Sequence, residues 1–208
     1  MGRRSSAELW TELKGVVWDW GDTLMRDIPG NPGPMVSWPY VEAMPGAAQA
    51  LRALSRLPVQ CVASNATDSD GERVAEALER VGLRRRVTHF FTSGELGVRK
   101  PDPAFFRRVA REVGIPPRHL LSVGNDLRKD IVPAKAVGMV TVWVSRTGIV
   151  GQGQPAKEGA GAEAGSTEEA GEEDAADLIV PDLSHLARLV PVLSEAGKPP
   201  LRDTRTRG

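Results

Sequence analysis

The feature that most constrains this chain is the recurrence of short apolar runs, each followed by polar residues and then by a stretch with helical spacing. Runs at 16–18, 59–63, 87–92, 120–123, 140–144 and 177–180 are rich in Val, Leu, Ile, Phe and Trp, and read as buried strands. Between them, apolar residues recur three and four apart, as in Ala47, Ala50, Leu51, Leu54 and Leu57, where Pro58 ends the run. Ser69 and Glu72 are spaced as a capping box for a helix carrying Val74, Ala77, Leu78 and Val81. Further helices are expected from Pro103 (Phe106, Val109, Ala110, Val113), around Ile131, Ala134 and Val137, and from Leu183 to Leu193. Strands alternating with helices at short intervals imply an α/β fold, a Rossmann-like parallel sheet with helices on both faces in three layers.

Three stretches depart from this rhythm. Residues 1–14 form a polar lead-in with a short helix at 7–13. Residues 25–44 hold Pro29, Pro32, Pro34 and Pro39, which exclude a long helix or a central strand, so a long loop is expected there, packed down by Trp38 and Tyr40. Residues 148–176 contain seven acidic residues against one lysine and are rich in Gly and Ala, the composition of a flexible insertion. The resulting plan is a core at 15–147, the acidic insertion at 148–176, a closing strand and helix at 177–196, and a basic disordered tail from 197.

Charge and cysteine content remove several classes of function. Formal net charge is zero, so no global field attracts nucleic acid or an anionic membrane, and Arg84–Arg86 is expected as a solvated helix end. The single Cys61 lies in an apolar run and fits a buried thiol in a reducing compartment. No run approaches 18 apolar residues, and the start of the chain lacks the apolar core of a signal peptide. A soluble cytoplasmic protein is the expectation.

The chemistry-bearing residues stand just past the strand ends: Asp19, Asp22 and Thr23 after the first, Ser64 and Asn65 after the second, and Asn125 and Asp126 after the fourth. Lys100 and Asp130 follow shortly after strands in the same pattern. In a parallel sheet these ends share one edge, where such folds bind ligands. Carboxylates, hydroxyls and an ammonium gathered there suit Mg²⁺ together with a phosphoryl group. Trp18 and Trp20 flank Asp19 and are expected to enter the core on opposite sides of the sheet.

Four motifs in order, VVWDWGDTL at 16–24, CVASNA at 61–66, GELGVRKPDPAFF at 94–106 and LLSVGNDLRKDIVPAKAVGM at 120–139, resemble those of the haloacid dehalogenase-like (HAD) hydrolase superfamily. The ending ADLIVPDLSHLARL at 176–189 is similar to the closing strand and helix of many members. The resemblance implies a Mg²⁺-dependent phosphatase in which Asp19 is the nucleophile and forms an aspartyl-phosphate. It implies that Thr23, Ser64 and Asn65 hold phosphoryl oxygens, and that Lys100 offsets the charge of nucleophile and phosphate. Asp19, the Gly21 carbonyl, Asp126 and Asp130 would hold Mg²⁺.

Two positions differ from the family's phosphatases. The acid that protonates the leaving group usually stands two residues after the nucleophile; here that place is Gly21, and Asp22 is the candidate one position later. The last motif usually begins Gly-Asp but reads Gly124-Asn125-Asp126. Too few residues separate the motifs for a helical cap, which argues against dehalogenase or phosphonate chemistry and for an open site. That site would take a small phosphorylated substrate, a bulky one, or one covered by a second subunit. The alternative is a catalytically weak or inactive relative that binds a phosphorylated ligand or a partner.

Overall fold

The computed structural model describes residues 6–146 and 176–196. The acidic insertion and the basic tail therefore lie outside the described residues, apart from Ala176. Six strands form one sheet: β1 (Gly15–Trp18), β2 (Val59–Ser64), β3 (His89–Thr92), β4 (Leu120–Gly124), β5 (Val140–Val144) and β6 (Leu178–Val180). Their order is β3-β2-β1-β4-β5-β6 and every neighbouring pair is parallel. Every residue of β1 and β4 is buried, as central parallel strands covered on both faces require. Trp18 lies in register with Val62 and Val123, so β1, β2 and β4 end side by side.

Alternation along the strands divides the core into two layers. On one face Val16, Trp18, Leu121, Val123, Val140 and Val142 pack beneath α1 (Ser6–Thr11), α2 (Ala47–Ala53), α3 (Gly71–Arg80) and α7 (Leu183–Ala196). On the other face Val17, Cys61, Ala63 and Leu120 meet α5 (Pro103–Glu112) and α6 (Val132–Ala136). The short α4 (Ser93–Leu96), begun by the Thr92 side chain accepting from the Glu95 amide, turns the chain from β3 toward Lys100.

Local departures from the sequence reading have local causes. The cap of α3 is Asp70, which accepts from the Arg73 amide, and not Ser69 with Glu72; Glu95 takes the Gly71 amide. Trp18 and Trp20 lie in the same layer, because residues two apart on an extended chain share a face. The third strand starts at His89, after a 3₁₀ turn (Arg84–Arg86) in which the Arg84 guanidinium lies over the Phe90 ring, 4.7 Å from its centre. The proline-rich loop is strapped to the body: Arg80 of α3 donates to the carbonyls of Val36, Trp38 and Pro39, and Trp38 donates to Gly33 O at 3.0 Å. Tyr40 takes no part in that packing and is 61% exposed. No second domain stands over the strand ends among the described residues.

Candidate active site

In this strand order β1 feeds β2 on one side while β4 lies on the other, which opens a crevice at the carboxyl ends of β1 and β4. Asp19 stands there as the first residue beyond β1, its amide donating to Val123 O of β4 at 2.9 Å. The chain then curls: the amides of Thr23, Leu24 and Met25 all converge on Trp20 O, at 3.3, 2.9 and 3.0 Å. This curl carries the buried Thr23 hydroxyl back to Asp19, where it donates to Oδ2 at 2.8 Å.

Lys100 reaches the other side of the same carboxylate. Its Nζ lies 2.6 Å from Asp19 Oδ1 and 2.6 Å from Asp130 Oδ1. The side chains of Lys100 and Asp130 are each 3% exposed and that of Asp19 is 14% exposed, so Asp19 is the member of the trio a ligand can reach. Burial pulls the ammonium toward neutrality, but the charges of Asp19 and Asp130 outweigh it and hold Lys100 above its ordinary range. Burial, and then the charge of Asp19, raise the Asp130 carboxyl to about 7 against the pull of Lys100. One ammonium is shared by two carboxylates and compensates neither in full.

Two residues hold this trio in place. Asn65 forms a reciprocal pair with the Lys100 backbone, Nδ2 donating to Lys100 O at 2.9 Å and Oδ1 accepting from Lys100 N at 2.8 Å. Expected to bind phosphate, Asn65 instead spends both ends of its amide on positioning Lys100. Gly124 is demanded by close approach: a Cβ there would lie 2.4 Å from Asp130 Cβ. Ser64 accepts from the Ala66 amide at 3.1 Å, which leaves its hydroxyl proton for another partner.

The four acidic candidates have separate fates. The Asp126 carboxylate, expected as a metal ligand, caps a π-helical turn (Leu127–Ile131) by accepting from the Arg128 and Lys129 amides, and pairs with Lys129 at 3.0 Å. Asp130 uses Oδ1 on Lys100 and Oδ2 on the Asp126 amide. Asp22, in a left-handed conformation with φ of 58°, accepts from the Asp27 amide and lies 3.6 Å from Arg146. Its carboxylate is thus engaged on the rim, where Arg146 also donates to the Asp22 carbonyl.

Where the motif shift left a choice between neighbours, it is Asn125 that faces Asp19. The outer atom of its side-chain amide lies 3.1 Å from Gly21 O, 3.2 Å from Asp19 Oδ2 and 3.0 Å from Thr23 Oγ1. With nitrogen outward it donates to these three oxygens; with oxygen outward it completes an all-oxygen cluster with them. Adjacent ligands of an octahedral Mg²⁺ with bonds of about 2.0–2.1 Å stand about 3 Å apart. Donor type and spacing therefore fit a small hard cation. No group of three or more His, Cys, Asp or Glu side chains does so among the described residues. Sequence reading also passed over Gly124 and Arg146; a Gly beside a strand end was visible, whereas nothing local marks Arg146.

Known proteins resemble this chain in sequence and in fold. A family model described as haloacid dehalogenase-like hydrolase matches residues 35–138, and a second, HAD-hydrolase-like, matches 97–186. The chain is 31% identical over 160 residues to a glyceraldehyde 3-phosphate phosphatase of Methanopyrus kandleri, an alignment covering 68% of each. It is 37% identical over 71 residues to a phosphoserine phosphatase of Thermus thermophilus, covering 34% of this chain and 28% of that one. In fold it is similar to an uncharacterised protein from Listeria monocytogenes serotype 4b (TM-score 0.65, 22% identity, 88% of this chain and 99% of the other). It is likewise similar to a HAD family hydrolase from Deinococcus radiodurans R1 solved with bound phosphate and sodium (TM-score 0.61, 19% identity, 90% and 97%).

Proposed function

Because the chain belongs to the haloacid dehalogenase-like hydrolases, we propose that it is a phosphatase working through Asp19, with a preference for phosphates whose leaving group needs no protonation. The observation that carries this reading is the reachable Asp19 carboxylate, held between the Lys100 ammonium and the Thr23 hydroxyl at the carboxyl end of β1. Phosphoryl transfer asks little covalent work of a protein and much positioning and charge compensation, which is what this arrangement supplies. That the curated relatives are named as phosphatases of small molecules supports phosphate release; the substrates in those names are alkyl esters, so the leaving-group preference rests on Gly21 alone.

In the first step an Asp19 oxygen attacks phosphorus and the bond from phosphorus to the leaving oxygen breaks, giving an aspartyl-phosphate and the departing anion. In the second, water attacks the same phosphorus, the bond to Asp19 breaks, and inorganic phosphate leaves with the water's second proton passing to solvent. Lys100 orients Asp19 and offsets charge as the phosphoryl group arrives. The hydroxyl of Ser64 is proposed to donate to its oxygens, whereas Thr23, expected to do the same, has its one proton on Asp19 Oδ2. Asp19, the Gly21 carbonyl and Asn125 would hold Mg²⁺, which when bound neutralises charge on the phosphoryl oxygens. Nothing occupies the space a side chain at position 21 would enter, so no built-in acid stands there, and acyl or aryl phosphates are favoured over alkyl esters. The open crevice leaves room for a small or a bulky substrate.

The test is phosphate release from a panel of acyl, aryl and alkyl phosphates with Mg²⁺, repeated with Asp19→Asn. Release that Asp19→Asn abolishes supports the proposal; a protein that hydrolyses none of the panel, or an Asp19→Asn variant as active as the parent, overturns it. Beryllofluoride with Mg²⁺ should bind the parent and fail to bind Asp19→Asn.

A further inference from the structure

Around the Asp19 carboxylate the chain is short of negative charge. Asp19 and Asp130 share the single Lys100 ammonium, and of the trio only Asp19 Oδ2 looks toward the Gly21 carbonyl and Asn125. Asp130 and Asp126 are turned away on Lys100 and on the π-helical turn. The remaining members of the cluster, Gly21 O, Thr23 Oγ1 and the Asn125 amide, are neutral. Divalent-cation sites of oxygen ligands gain affinity with the number of charged ligands, and Mg²⁺ in phosphoryl-transfer sites draws much of its coordination from substrate phosphate.

Asn125 adds a second property. An amide is a donor at one end and an acceptor at the other, so the same side chain closes this cluster in two ways. Nitrogen outward, it satisfies Gly21 O, Asp19 Oδ2 and Thr23 Oγ1, and the cluster is stable with no cation. Oxygen outward, it is a ligand. A carboxylate at 125 has no donor end; placed 3.2 Å from Asp19 Oδ2, it would set two acceptor oxygens against each other unless a cation lay between them.

Resting on the phosphatase reading above, we propose that Asn125 makes cation binding conditional on the phosphoryl ligand. The two are taken up together, because the phosphoryl dianion brings the negative charge that Asn125 withholds, and the amide turns over as they bind. Linkage then requires that each ligand tighten the other by the same factor.

The experiment titrates the full chain with Mn²⁺, a spectroscopically visible substitute for Mg²⁺, followed by electron paramagnetic resonance, with and without inorganic phosphate and against a protein-free control. For the parent protein, phosphate should tighten Mn²⁺ binding by about tenfold or more, within the usual range of couplings, and Mn²⁺ should tighten phosphate binding equally. Asn125→Asp should bind Mn²⁺ alone at least about tenfold more tightly than the parent and lose most of the phosphate dependence. Its thermal midpoint should fall in chelator and recover with Mn²⁺, and that of the parent should do neither. Mn²⁺ binding to the parent that ignores phosphate, or an Asn125→Asp variant with the parent's affinities, overturns the inference and leaves the phosphatase reading standing if esters are hydrolysed. Absence of both Mn²⁺ and phosphate binding overturns both. Should Asn125→Asp fail to fold, the paired titrations of the parent decide the matter alone.

Discussion

Position 21 offers the sharpest test of how this site handles its leaving group. A Cβ built on Gly21 meets nothing within 4 Å, and the residue lies outside the left-handed region, so an L-side chain fits without strain. Gly21→Asp therefore places a carboxyl two residues past the nucleophile, where relatives carry their acid, at little cost in stability. A positioned general acid contributes roughly 10²–10⁴-fold, which at about 1.36 kcal/mol per factor of ten is about 3–5 kcal/mol of barrier. That help matters where the departing oxygen is a poor leaving group. The expected result in steady-state kinetics with Mg²⁺ is a rise in kcat/KM of about tenfold or more on an alkyl phosphate, allowing for imperfect placement, and little change on acetyl or nitrophenyl phosphate. Asp22→Asn serves as the control, because Asp22 is engaged by the Asp27 amide and Arg146 and should not alter this leaving-group dependence. A folded Gly21→Asp protein with an unchanged alkyl rate would refute the reasoning. A loss of about 100-fold on alkyl esters in Asp22→Asn would do so too, by showing that the acid is Asp22 after all.

Other expectations follow from the same geometry. Asn65→Ala removes both hydrogen bonds to the Lys100 backbone, and should cost roughly 1–3 kcal/mol of stability and lower kcat more than it raises KM; calorimetry and kinetics with unchanged values would contradict that positioning role. Gly124→Ala drives a methyl group into Asp130 and should destabilise by about 1–3 kcal/mol, moving the thermal midpoint down by several degrees; an unmoved midpoint would sink the close-contact argument. Alkaline stability should fail in a definite direction. Burial, opposed only by its backbone hydrogen bond, pushes the Cys61 thiol from 9.0 to about 12, and Lys100 is likewise held above its usual 10.5. Each group keeps its proton in the fold after the unfolded chain has lost it, so the Cys61 contribution is intact below pH 9 and declines above it, while that of Lys100 declines only above 10.5, each by up to about 1.4 kcal/mol per unit. Urea midpoints across pH 8–11 for the parent and Cys61→Ala should diverge above pH 9; parallel curves would show that the thiol is not held in this way.

The sheet and its strand-end candidates were legible because they rest on periodicities of two and of three to four, and on residues adjacent in sequence. Thr23, Lys100 and Asp130 could be placed near Asp19 from their positions after strands, since a parallel sheet sends all such residues to one edge. Partners were not legible. An asparagine after a strand looks the same whether its amide meets a phosphate or, as for Asn65, the backbone of a loop 35 residues away. Asp126 and Asn125 are neighbours in one motif, and only the wide turn that Asp126 caps decides which of them faces Asp19. Arg146 meets Asp22 across 124 residues and leaves no local trace.

That distinction bears on the chemistry. In sequence, Asp19, Asp22, Asp126 and Asp130 are four equivalent acids near strand ends. Folding makes them unequal by giving each a different partner: Arg146 and the Asp27 amide for Asp22, Lys129 and the turn amides for Asp126, and Lys100 with the Asp126 amide for Asp130. Asp19 alone combines a shared cation on Oδ1, a hydroxyl on Oδ2 and exposure to the crevice. Lys100 and Asp130 must therefore be read as one device: Asp130 shares the ammonium that orients Asp19, and so sets how much of it Asp19 receives.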